Sequence, residues 1–384
     1  MLPEPYRWIA VQFEPEEGNP ALLLEIAQAL EKDGDLPSAA TVYDRAFGIA
    51  PDVAEIRERR REVLDQLAVV ENGITFRYVP GGPFLMGSNT GETDEGPWHP
   101  VWLLPYWMAE TPICWAAYCR LMDWTPPVEG GVPRDFAERG EGVDPPRWLL
   151  YGTNKLRWQY CEDRTTRARD WHSHDPIGRW QSADRIQTAQ EAFGVPPRDD
   201  PDAPWSYDTK PMIASSWQEA MELADLLSTP NVRYSLPTEA QWEKAARGGL
   251  IGARHAWGDA PPSHECCDFN RFYEFAILPT TTFAPNGYGL YAVNGCVWEW
   301  TRDWYDRDYY RHSPDTDPQG PPEGEEKVLR GGSWTDYAEA VTVTFRMSRG
   351  SRSWRDGQWG EQLTPNVGFR LCRTVVGDAR QAAR

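Results

Sequence analysis

After Gly73 this chain rarely keeps a helical period for more than a few turns, and that feature restricts its fold most. Short apolar runs alternate with Gly, Pro and Asn, which predicts short strands joined by irregular loops. Such a fold must fill its interior with large side chains, and the 20 Trp among 384 residues provide them. Two stretches depart from this texture. In "SSWQEAMELADLLS", Ala220, Leu223, Ala224 and Leu227 share one helical face. In "SLPTEAQWEKAARGG", Thr238 is placed as an N-cap, Gln241 holds the capping-box position and Gly248-Gly249 stop the helix. Residues 126–211 are rich in Trp, Arg, Asp and Pro without a period, and are expected to form an ordered insertion because their aromatics need somewhere to pack.

The N-terminal part differs. From Asn19 to Leu67 apolar residues recur at helical spacing, with a break at Gly34-Asp35. The stretch resembles one tetratricopeptide-like hairpin, with Ala39, Tyr43, Ala46 and Pro51 near the places that motif uses. A single repeat cannot close its own core, so a helical hairpin or cap over residues 1–68 is expected to rest on a domain spanning 73–376.

A net charge of −19 argues against nucleic acid and anionic membrane as partners, because phosphate contacts need clustered Lys and Arg. No stretch approaches the ~20 apolar residues of a spanning helix, and the start has no basic segment leading into an apolar run. Seven Cys at irregular spacing do not form a disulfide framework. A cytoplasmic protein is expected.

Motifs then occur in a telling order: "ITFRYVPGGPFLMGSN", "DEGPWHPVWLLPYWMAETPICW", "PMIASSWQEAMELA", "YSLPTEAQWEKAARGG", "PNGYGLYAVNGCVWEWTRDWY", "LRGGSW" and "NVGFRLCR". This series resembles the formylglycine-generating enzyme, or sulfatase-modifying factor, family. The resemblance implies an α+β chain with a variant C-type-lectin-like fold, low in regular secondary structure and here preceded by a short helical hairpin. Elementary chemistry explains several motif residues. Trp298 and Trp300 fall on one side of an extended segment and are expected in the core, with Glu299 opposite. Arg247, Arg330, Arg346 and Arg370 are expected to tie loop carbonyls and carboxylates together. Gly81-Gly82, Gly331-Gly332 and Gly368 are expected to supply positive φ or close backbone approach.

The resemblance also implies chemistry that this chain lacks. Active members hold copper(I) with two thiolates after the Gly-Gly-Ser-aromatic motif, since soft sulfur stabilises the monovalent ion. Aligned from Gly331-Gly332-Ser333-Trp334, those positions fall on Asp336 and Val341. A second branch of the fold binds iron through histidines. Of the six His here, only His172 and His174 form a close pair, and His99 is read as structural. Calcium in the family sits near the motif containing Glu299, but Ala292 and Cys296 replace its oxygen-bearing side chains. No cofactor is expected for a binding protein, with calcium near Glu299 as an alternative.

What remains resembles the variable proteins of diversity-generating retroelements, which carry this fold and vary ligand-contacting residues near the C-terminus. "RGGSW" and "NVGFRLCR" bracket the corresponding region. The expected function is non-catalytic binding of a protein or other surface-exposed macromolecule. The expected contacts are Trp334, Thr335, Asp336 and Tyr337, with Ser351, Ser353, Trp354, Asp356, Gln358, Trp359 and Glu361 from the next loop. Its Trp residues are suited to act as rigid anchors beside adaptable polar groups. The alternative is an iron- or copper-dependent oxidase or oxygenase of the same fold.

Overall fold

The computed structural model describes residues 18–121, 209–212, 217–271, 278–350 and 366–376. Almost all of the expected insertion, and His172 and His174, lie outside them. Helices α1 (Pro20–Lys32), α2 (Leu36–Ile49) and α3 (Ala54–Gln66) occupy the N-terminal part. The side chains of Asn19 and Asp35 accept the Ala21 and Ser38 amides, capping α1 and α2. The sequence predicts a hairpin, and α3 adds a third helix whose buried residues are Ile56, Arg60, Val63 and Leu64. These helices do not close a core alone. Ala27, Ala39, Tyr43 and Val63 share one apolar cluster with Tyr78, Tyr106, Trp242 and Tyr288. Arg60 reaches across from α3, with its guanidinium between the rings of Phe47 and Tyr288 at 4.3 and 4.7 Å. It donates to Asp44 and to the carbonyls of Gly248 and Gly287.

The rest of the described chain holds β1 (Val69–Glu71), β2 (Ile74–Val79), β3 (Gly82–Met86), β4 (His99–Leu103) and β5 (Tyr106–Ala109), then α4 (Trp115–Leu121), α5 (Trp217–Leu227), β6 (Val232–Ser235) and α6 (Glu239–Arg247). It continues with β7 (Trp298–Trp304), β8 (Glu326–Arg330), β9 (Arg346–Gly350), β10 (Val367–Gly368) and β11 (Cys372–Val375). One sheet has the order β1-β2-β5-β11-β6 and a second the order β10-β7-β8-β9, while β3 and β4 form a separate pair. Strand β11 pairs antiparallel with both β5 and β6, so the C-terminal motif closes against the first strands of the domain. Trp298 and Trp300 are core residues, and Glu299 between them is buried too, so β7 is covered on both faces.

Strands β8 and β9 are antiparallel neighbours with Arg330 opposite Arg346. Residues 331–345 are therefore a loop thrown out and returned between two paired strands. Helix α6 sits beneath it. Thr238 and Gln241 form the capping box and Gly248 ends the helix in the left-handed region, both as the sequence predicts. Gly332 has φ +71, and a Cβ there would meet Ala340 O at 2.8 Å, so only glycine lets the two limbs of the loop approach this closely.

Candidate ligand-binding surface

A buried charge cluster fixes both ends of the loop. Arg330 donates to Glu239 at 2.8 Å, to Glu243 at 2.7 Å, to the Val343 carbonyl at 2.6 Å and to the Tyr310 hydroxyl at 3.1 Å. Arg346 grips both oxygens of Glu239 at 2.7 and 3.0 Å and ties the Asp94 and Asp306 carbonyls. Arg247 holds Glu243 and the Gly87 and Ala253 carbonyls. Burial alone would push the Glu239 carboxyl up, but the facing Arg346 and Arg330 outweigh it and hold it below the usual carboxylate range. The expected structural role of these arginines is what the geometry displays.

Glu299 is used in the same way. Arg370 donates to both its oxygens and the Trp242 indole N–H reaches it at 2.8 Å. Arg370 also takes the carbonyls of Ala109, Glu110 and Tyr291. With a guanidinium against the carboxylate and no side-chain oxygen at Ala292 or Cys296, these residues do not fit calcium.

Inside the frame, the first residues of the loop are pinned by backbone. The Trp334 N–H donates to Cys296 O, the Arg271 N–H to Trp334 O and the Asn270 N–H to Asp336 O. The Ser333 hydroxyl bonds the Asp336 carboxylate and lies 2.9 Å from the Thr335 hydroxyl. Asn366, just before β10, donates to Ser333 and Thr335 at 3.2 and 3.1 Å. Burial raises the Asp336 carboxyl, against the opposing effect of the Ser333 hydroxyl. On the return limb Val341 is fully buried and its carbonyl meets His255 Nδ1 at 2.9 Å. Only the crest stands out: Tyr337 is 69% exposed, and Glu339 is exposed as well.

This arrangement sorts the expected contacts. Trp334 is corrected: it is 0% exposed and packs in the core with Trp298, Leu329 and Val367, because its backbone ties turn the indole inward. It offers no face to a ligand. Thr335 and Asp336 are half-buried and hydrogen-bonded to their neighbours, while Tyr337 is open. Ser351, Ser353, Trp354, Asp356, Gln358, Trp359 and Glu361 lie outside the described residues. A cleft of about 360 Å³ escaped the sequence reading. It runs from Glu339, Thr342, Thr344 and Phe345 to the Gly87–Glu95 turn and to Arg254 and Asp259. The "DEGPWHP" motif was the available signal for its far wall.

The residues present do not fit copper(I) at the family's positions, since Asp336 offers a hard oxygen inside a hydroxyl network and Val341 offers no donor. Among the described residues no group of three or more His, Cys, Asp or Glu is arranged to hold a metal ion. Nor is any described helix long and apolar enough to cross a membrane.

Comparison with known proteins places this geometry. The family model for the sulfatase-modifying factor enzyme 1-like domain matches residues 67–375. A formylglycine-generating enzyme of Streptomyces coelicolor is 29% identical over 324 residues, covering 76% of this chain and 87% of that protein. Among solved structures, PvdO from Pseudomonas aeruginosa aligns with TM-score 0.51 and 16% identity over 80% of this chain and 97% of that one, a likeness of fold. Treponema denticola variable protein 1 aligns with TM-score 0.45 and 21% identity over 79% of this chain and 97% of that one. The family match spans both sheets, the buried arginine clusters and the loop they hold, and the chain therefore belongs to the sulfatase-modifying factor enzyme 1-like family, with its variant C-type-lectin-like fold.

Proposed function

We propose that this protein is a non-catalytic ligand-binding member of its family, a variable protein of the diversity-generating retroelement kind. It presents the crest of the 331–345 loop, with residues 351–364, to a protein or other macromolecular surface. One observation carries the reading. The two positions that hold copper in active relatives are consumed by structure, Asp336 in a hydroxyl network and Val341 in the apolar interior, while Tyr337 and Glu339 between them face solvent. The adjoining cleft extends that face with hydroxyls and charges of both signs. Exposed aromatic residues on a rigid base are the usual anchors of binding surfaces. The five described cysteines are free, and we assign the protein to a reducing, cytoplasmic setting.

The test is the coding locus across a population of source cells. Adenine-directed differences concentrated at codons 337–339 and 351–364, beside a reverse transcriptase and a near-copy of the 3′ end, are expected. A uniform sequence without those neighbours overturns the retroelement assignment. A second reading, a metal-dependent oxidase of this fold, is favoured by the identity with the Streptomyces enzyme. Stoichiometric copper or iron in protein purified without added metal, with oxygen-dependent conversion of a cysteine peptide, would establish it in place of the first.

A further inference from the structure

Cys266 and Cys267 are neighbours in the chain and both thiols are free. Cys267 is 1% exposed and forms a small apolar cluster with Phe269 and Val341, and Cys266 and Ala338 pack against it. Cys266 thus packs against the cluster that holds its neighbour Cys267. Together they floor the return limb of the loop, from Ala338 to Val341.

Their surroundings make them unlike. Cys266 is half-buried, and its Sγ accepts the Ser263 N–H at 3.2 Å, donates to the Ser263 carbonyl at 3.2 Å and lies 3.6 Å from the Ser263 hydroxyl. Burial, then the adjacent Cys266 and Asp268, push the Cys267 thiol well above the ordinary thiol range. An accessible attacking sulfur beside a shielded one is the arrangement of a two-step thiol–disulfide exchange. Among the described cysteines no other two are neighbours in the chain.

We propose that Cys266-Cys267 is a site of reversible oxidative modification by low-molecular-weight disulfides. The Cys266 thiolate attacks one sulfur of the small disulfide, forming a mixed disulfide and releasing one small thiol. Cys267 then gives up its proton and attacks Sγ of Cys266, expelling the second small thiol. Two protein thiols become one disulfide, and the incoming disulfide is reduced to two thiols. Adjacent Cα atoms stand about 3.8 Å apart, below the roughly 4.4–6.8 Å that disulfides normally span, so the product is strained and easily reduced. Strained disulfides are the labile, regulatory ones. Drawing the sulfurs to about 2.05 Å reshapes the surface on which Ala338 and Val341 rest. The site follows from the thiols themselves and holds on either reading of function.

The test uses the full chain incubated with oxidised glutathione, alkylated and mapped by peptide mass. Wild type is expected to lose both free thiols in the peptide containing residues 266 and 267, to retain no glutathionyl group there, and to recover both thiols with dithiothreitol. Cys267→Ser, or Cys267→Ala if the serine is not tolerated in the apolar cluster, is expected to keep glutathione on Cys266. Cys266→Ser is expected to leave Cys267 unmodified. Glutathione retained on wild-type Cys266, or both wild-type thiols left free, overturns the proposal.

Discussion

The ends and the crest of one loop behave as two materials. At the ends, Arg330 and Arg346 face each other across β8 and β9 and share Glu239, with further donors on Glu243, the Tyr310 hydroxyl and carbonyls. At the crest, Tyr337 and Glu339 are exposed. Buried charges are tolerated only when every partner is supplied, so the ends accept almost no substitution. An exposed side chain has few native contacts to lose. Position in the loop, rather than residue type, then decides the effect of a change.

The comparison breaks most readily at Arg346. Arg346→Ala leaves Glu239 buried with one partner fewer and is expected to cost about 3–5 kcal/mol, read by urea unfolding. A loss under about 1 kcal/mol, the size of an exposed ion pair, would show the ends to be no stiffer than the crest. Arg346→Lys is expected to recover only part, because an ammonium cannot grip both Glu239 oxygens as the fork does.

Acid–base behaviour tests the buried end from another side. Asp303 accepts the Glu239 N–H at the start of α6, and burial, then Glu239, push its carboxyl up to about 7. Unfolded Asp titrates near 3.9, so the native state holds a proton that the unfolded chain has released through the window from about pH 4 to about 7. This group's contribution is full below that window and declines as pH rises through it. Asp303→Asn keeps an acceptor for Glu239 and should flatten that part of the pH–stability curve. An unchanged slope would mean that Asp303 titrates as an exposed carboxylate.

Smaller effects sharpen the boundary between frame and surface. Ser333→Ala removes the hydroxyl that joins Asp336, Thr335 and Asn366, with an expected loss of about 1–2 kcal/mol in thermal melting. At the crest, Tyr337→Asn is expected to shift stability by about 0.5 kcal/mol or less while altering recognition. A loss near that of Ser333→Ala would place Tyr337 within the frame.

Local chemistry made some of this legible in advance. The capping box and glycine stop of α6 lie within one short segment, and the arginines beside Gly-rich turns announced their need for many acceptors. The inward turn of Trp334 was not legible, since it depends on Cys296 and Arg271, distant in the chain. Thr335 and Asp336 read as surface because Asn366 and Asn270 reach them from other segments. Helix α3 hid behind its Arg- and Glu-rich sequence, whose one deeply buried Arg60 finds its partners only in the folded chain.

Arg60 carries a further consequence. The family match begins at residue 67, yet the interior does not respect that border: rings from α2 and from the lectin-like part sandwich this guanidinium, and it caps carbonyls at Gly248 and Gly287. Cutting the chain at the match boundary would strip the Tyr288 side of its cover and expose apolar surface that belongs inside. The helices and the domain are therefore expected to melt as a single cooperative body in calorimetry, and a recombination event that exchanged the recognised domain alone would deliver an incomplete folding unit.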